Sequence, residues 1–233
     1  MAPDDAPAYL DLISLAVHEF RTPASVVAGY LRMLLRENDD QPLSDRQRKM
    51  ITEAERSCVR LAALVAELSE IQKLDAERIE PGPSQTFDLF PLVADVASGV
   101  HDAEERGVLL EVRGQSEGAP MQGDLPRIQR AFSAIFRAIL REMPADTKVA
   151  AERRVDTAGP RPSAIVVVAS GPQVQASLTA AQAPLDEMRG GLGLTLPFAR
   201  RIIERHGGRI WSPAGDRRRG AAIVSLPLRE LSR

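Results

Sequence analysis

Cysteine is almost missing from this chain. Cys58 stands alone, so no disulfide can form within the chain, and a reducing, cytoplasmic setting is the expectation. Aromatic residues fill only 4% of the 233 positions, and the formal net charge of -2 leaves no basic excess. A nucleic-acid role therefore has no electrostatic support. No uncharged run approaches the roughly 18 residues that a membrane-spanning helix needs. Met1 to Pro7 is acidic and lacks the basic start and apolar stretch of a signal peptide. The expectation is a protein without nucleic-acid or membrane partners, sensor region or anchor. What is present is a 44% hydrophobic fraction, enough for a core, and a 27% charged fraction, ordinary for a surface. Ala, Leu, Val and Arg are plentiful, which favours helix. The length allows one large domain or two modest ones.

The first third reads as two long helices. Leu12, Leu15, Ala16, Phe20, Val27, Leu31 and Leu34 recur at three-and-four spacing over residues 8 to about 38. Residues 38–42 form a loop, and Ser44 is a natural N-cap for a second helix. That helix carries Ile51, Ala54, Cys58, Leu61, Val65 and Leu68 in a heptad-like seam and should stop near Glu80. One hairpin cannot bury both apolar stripes, but two can in a four-helix bundle, so a homodimer is expected. Cys58 on that seam reads as packing. Residues 1–80 form the hairpin, 81–84 a Pro-Gly-Pro-Ser linker and 85–233 a second domain.

In that second domain Phe87-Asp88-Leu89 is expected to open a helix running to about Arg106. Val108 to Val112 reads as a strand. Gly123-Asp124 starts a helix through Ile128, Phe132, Ile135 and Ile139 to Met143. Strands follow at 148–155 and 164–169, then a loop over 173–188 with room for one helical turn. A helix from Leu192 to His206 ends at Gly207-Gly208, before strands at 209–211 and 221–226. Helices and strands mix without regular βαβ alternation. The fold class is therefore α+β, with helices layered on one face of a mixed sheet.

Within the first helix stands Ala16-Val17-His18-Glu19-Phe20-Arg21-Thr22-Pro23. Residues four apart share a helix face, so His18 and Thr22 project together. Glu19 can hydrogen-bond one ring nitrogen of His18 and leave the other free as a nucleophile. Pro23 cannot donate to the carbonyl of Glu19 and should kink the helix within a turn of His18.

This octet resembles the H box of two-component sensor histidine kinases. The second half resembles the ATP-binding domain of the same kinases, a Bergerat-type sandwich. The marks are Phe87-Asp88-Leu89, then Gly123-Asp124 with Arg127-Ile128, and Gly191-Leu192-Gly193-Leu194 with Arg200. His206-Gly207-Gly208 and Ser225-Leu226-Pro227-Leu228 complete the series. The resemblance implies catalytic roles for His18, Glu19 and Thr22, supported by Arg21 and Pro23. It also implies a response-regulator receiver domain as partner.

The departures fall on nucleotide chemistry. Where the family's N-box helix presents asparagines, one of them a Mg²⁺ ligand, this chain has Ala134 and Ala138. Alanine offers no oxygen to a hard cation. The family's adenine-binding aspartate is replaced by Ala169, and a later glycine by Gln173. Arg141, Gly171, Gly191 and Gly193 remain as residual nucleotide-binding candidates. No metal site is expected, and ATP with Mg²⁺ would serve as cofactors only in an active kinase. Three functions compete. One is a histidine phosphotransferase with a decayed ATP-binding half. The second is an ATP-dependent kinase with an atypical nucleotide site. The third is a non-catalytic pseudokinase that controls a regulator or another kinase.

Overall fold

The computed structural model describes residues 6–36, 43–76, 84–101, 107–187, 189, 193–215 and 220–229, with the side chains of residues 6–16, 18 and 36 outside the description. The chain divides into two compact units, Met1–Ile79 and Glu80–Arg233.

The first unit is the helical hairpin. Helix α1 spans Ala6–Arg36 and stays helical through Pro23. Helix α2 spans Asp45–Asp75. Its start is a capping box: the Ser44 hydroxyl accepts from the Gln47 amide, and the Ser44 amide donates to Gln47 Oε1 at 3.0 Å. Ser44 was expected as the cap; Gln47 completes it. The helix ends at Asp75, short of Glu80, and residues 77–83 lie outside the description. On α1 the buried residues Val17, Ala24 and Ala28 recur at seven-and-four spacing and form one stripe. A second stripe is bare in the single protomer: Phe20, Val27, Tyr30 and Leu34 are exposed, as are Met50 and Leu61 on α2. Of the expected α2 seam, only Val65 is fully buried, while Cys58 is half-buried.

The second unit is a sandwich. Strand β1 is Ser84–Asp88 and helix α3 is Leu89–Ser98. Phe87-Asp88-Leu89 therefore closes a strand before it opens the helix, and the helix stops well before Arg106. The Asp88 carboxylate explains the switch from strand to helix. It caps α3 through the Phe90 amide at 2.9 Å and accepts the Gly118 amide at 2.6 Å. Strand β2 is Leu109–Gly114, and strand β3 is Pro120–Asp124, which pairs antiparallel with β1. Helix α4, Leu125–Glu142, buries nine residues including Ile128, Phe132, Phe136 and Ile139. Fully buried side chains of this kind contribute about 1.5–3 kcal/mol each.

Strands β4 (Lys148–Asp156) and β5 (Ser163–Ser170) follow as expected. The expected loop instead holds a 3-10 turn at Gly171–Gln173, helix α5 at Val174–Thr179 and strand β6 at Gln182–Pro184. Strand propensity alone does not reveal β6: it is three residues long and ends in proline. Helix α6 is Thr195–Arg205, starting later than Leu192, which is outside the description. Strands β7 (Arg209–Pro213) and β8 (Ala221–Pro227) complete the unit.

The main sheet runs β2-β4-β5-β8-β7-β6, with β2–β4 parallel and the other pairs antiparallel. Arg153 on β4 donates to the Phe90 carbonyl of α3 at 2.7 Å, and α3, α4 and α6 pack as one layer on that face. Successive strand residues alternate faces. Ala150 packs with Val174 in a cluster on the opposite side, where Gln175 donates to Glu152 at 3.5 Å. The short α5 thus adds a small cover to the face away from the helix layer.

Candidate functional site

On the hairpin, His18 occupies a helical position of α1, and its side chain lies outside the description. Its neighbours Glu19, Arg21, Thr22 and Pro23 are all exposed, while Val17 and Ala24 turn inward. The rigid rod therefore offers three polar side chains to solvent around position 18. Further along, Arg32 faces Glu55 of α2 at 3.8 Å and donates to the Ala28 carbonyl.

In the sandwich, the two alanines at the N-box places lie on the buried side of α4, Ala134 at 7% and Ala138 at 1% exposure. Ala169 is fully buried in a cluster with Ala150, Ile165, Val167, Val174, Ala221 and Ile223. Leu178 and Trp211 pack against this cluster. Position 169 is thus filled by apolar packing. A carboxylate set there would be desolvated without a partner.

The remaining candidates stand on different elements. Arg141 is exposed in the last turn of α4. Gly171 opens the 3-10 turn beside the Arg113 guanidinium. Gly193 takes φ +67, a left-handed conformation natural to glycine, one residue before Leu194. Leu194 is the N-cap of α6 and makes no side-chain capping bond, so no side-chain cap occupies the helix start. Gly191 lies outside the described residues. Among the described residues no group of three or more His, Cys, Asp or Glu could hold a metal ion.

Two motifs that are far apart in sequence meet. The Asp124 amide donates to His206 Nε2 at 3.1 Å, and His206 Nδ1 lies 2.7 Å from the Ile202 carbonyl. That pair of partners calls for the tautomer with its hydrogen on Nδ1. A Cβ on Gly123 would stand 2.5 Å from the His206 ring, so only glycine admits the histidine. Asp124 in turn caps α4 through the Arg127 amide at 3.1 Å and pairs with the Arg127 guanidinium at 2.7 Å. A cavity of about 360 Å³ opens here, lined by Ser84, Gln122, Arg127 and Arg205 among others. Gly207 turns left-handed at φ +72 to end α6, and the Gly208 amide bonds Ile203 O at 2.9 Å. In sequence His206 reads only as a helix-end residue. Its bond to Asp124 crosses 82 positions, which no local pattern reports.

Comparison with known proteins bears on the identity of these two units. Residues 9–77 match the family model of the His Kinase A (phospho-acceptor) domain. Sensor protein DivL of Caulobacter vibrioides is 25% identical over 201 residues, covering 85% of this chain and 25% of DivL. The phosphate regulon sensor protein PhoR of Pseudomonas aeruginosa is 24% identical over 208 residues, covering 86% of this chain and 46% of PhoR. The chain thus spans less than half the length of these two relatives. Among solved structures, full-length ShkA in complex with AMPPNP matches the fold with a TM-score of 0.68 at 22% identity, over 94% of this chain and 46% of ShkA. Histidine kinase ThkA in complex with the response regulator protein TrrA gives a TM-score of 0.58 at 19% identity, over 96% of this chain and 63% of ThkA. Residues 9–77 thus belong to the His Kinase A (phospho-acceptor) domain family, and the chain as a whole is similar to sensor histidine kinases, whose sandwich fold its second unit shares.

Proposed function

We propose that this chain is a histidine phosphotransferase whose ATP-binding half is a scaffold. What supports the reading is that Ala134 and Ala138, which the resemblance sets at the N-box places, lie on the buried side of α4 and offer no oxygen to a cation, while Ala169, on the other face of the sheet, is packed among apolar residues. Losing one charge-assisted hydrogen bond weakens binding by roughly one to two decades. Losing the metal ligand also removes the cation that neutralises charge during transfer from ATP. Meanwhile the polar residues that flank His18 stay exposed on α1.

In the proposed reaction a neutral ring nitrogen of His18 attacks the phosphorus of a receiver domain's aspartyl phosphate. A P–N bond forms, the P–O bond to the carboxyl breaks, and the aspartate leaves as a carboxylate. The reverse step passes the group to a second receiver. A histidine near its unperturbed pKa of about 6.5 is largely neutral at cytoplasmic pH. Glu19 orients the ring, Arg21 and Pro23 support the site, and Thr22 with Glu19 positions water against a receiver's phosphate. The exposed stripe of Phe20, Val27, Tyr30, Met50 and Leu61 is the surface for a second copy in a four-helix bundle. The partner is a receiver domain, and the proposed setting is the cytoplasm.

One observation favours residual anion binding instead: the α6 start behind Gly193 has no side-chain cap. Calorimetric titration with ATP and Mg²⁺ decides between them. No binding, or binding weaker than millimolar, supports the scaffold. A micromolar dissociation constant returns the chain to ATP-dependent kinases.

A further inference from the structure

The cavity beside Asp124 takes no part in the phosphotransfer proposed above, and its lining is unevenly charged. Arg127 of α4 and Arg205 of α6 stand against one carboxylate, that of Asp124. That carboxylate is already spent on Arg127: Oδ1 accepts its amide at 3.1 Å and Oδ2 accepts its Nη1 at 2.7 Å. A guanidinium carries five N–H donors. Among the described residues the Arg127 guanidinium has only this one acceptor, although its side chain is just 22% exposed. Its remaining donors are left to whatever fills the cavity. The exposed Ser84 and Gln122 add polar groups from the paired strands β1 and β3.

The other wall is carbon. Both ring nitrogens of His206 are engaged, Nε2 by the Asp124 amide and Nδ1 by the Ile202 carbonyl, so the ring presents its C–H edge and face. Ile202 adds an aliphatic side chain, and the close fit of the ring on Gly123 holds this wall in place. The volume of about 360 Å³ falls at the small end of ligand pockets, roughly 300–1,000 Å³. A neutral ligand would leave the guanidinium donors of Arg127 unmatched. An inorganic anion would leave the carbon wall unused.

We propose that this cavity binds a small organic acid, with its carboxylate on Arg127 and Arg205 and its carbon chain against Ile202 and the His206 ring. The site lies about two helical turns along α4 from Ala134, so it owes nothing to the nucleotide positions.

The test is calorimetric titration of the full chain with succinate at constant ionic strength, with inorganic phosphate as the comparison. Succinate should saturate one site with a dissociation constant of about a millimolar or lower. Phosphate should bind at least about tenfold more weakly, because it lacks the hydrocarbon. Succinate should also shift the amide NMR signals of Gly123 and His206. Arg127→Gln should weaken binding by about tenfold to a hundredfold, and Arg205→Gln by about tenfold. Gln122→Glu, which sets a negative charge on the rim, should weaken it by at least about tenfold. Arg137→Gln, roughly 15 Å further along α4, should bind succinate like wild type. If Arg127→Gln fails to fold, the exposed positions Arg205 and Gln122 decide. No saturable binding of succinate overturns the proposal. So does phosphate binding as tightly as succinate, or succinate affinity unchanged in both Arg205→Gln and Gln122→Glu.

Discussion

On α1, Glu19, Arg21, Thr22 and Pro23 face solvent; on α4 and β5, Ala134, Ala138 and Ala169 are shut into the interior. Both sets were singled out in the sequence by the resemblance to the kinase family. The hairpin leaves polar groups accessible and its apolar stripe uncovered, as suits a surface that meets other proteins. The sandwich keeps its three alanines packed. Chemistry that needs an exposed nucleophile is compatible with the first arrangement. A nucleotide site that relied on side-chain oxygens at these three positions would find only methyl groups there.

The largest expected effect is in the sandwich. Ala169→Asp places an unpartnered carboxyl group among Ile165, Val167 and Val174; it would take up a proton rather than stay charged and should still cost roughly 2–7 kcal/mol, read from urea denaturation. A variant that stays stable and gains nucleotide affinity would mean that the packing opens readily. Next, Leu61→Glu probes the hairpin. Leu61 is 44% exposed in one protomer, so the monomer fold should survive. If the bundle covers Leu61, burying the charge should weaken dimerisation by at least about a hundredfold, measured by sedimentation. Wild type that sediments as a folded monomer at micromolar concentration would remove the dimer.

Gly208→Ala is smaller. Its Cβ would meet the Ser225 carbonyl at 2.4 Å, a backbone clash costing about 1–3 kcal/mol. A melting curve like wild type would show that α6 and β8 can separate freely. The smallest change in stability belongs to Thr22→Ala, an exposed substitution expected to stay within about 0.5 kcal/mol. It should nonetheless slow hydrolysis of a partner's aspartyl phosphate while leaving transfer through His18 largely intact. Equal loss of both would reduce Thr22 to support of the helix around Pro23.

How much of this was legible in the sequence depended on the range of the interaction. Ser44, the α1 periodicity and the Gly207 stop are local and were readable. The mixed sheet followed from the order of segments, but β3 and β6 did not. They are short, and β3 exists through its pairing with β1, where Phe87-Asp88 looked like a helix start because Asp88 is indeed a cap. The alanines at 134, 138 and 169 were visible as departures, whereas their burial needed the fold. The bonds of Arg189 to Glu142 and of His206 to Asp124 span 47 and 82 positions and leave no periodic trace.

The most direct test of the central claim is phosphoryl transfer in the absence of ATP. A receiver domain charged chemically with labelled phosphate would be mixed with the chain, and the label followed on gels under acid and base. The account predicts acid-labile, base-stable phosphate on the wild-type chain, none on His18→Ala, and none from labelled ATP with Mg²⁺. Label taken from ATP alone, or no label from any receiver encoded in the same genome, would contradict it.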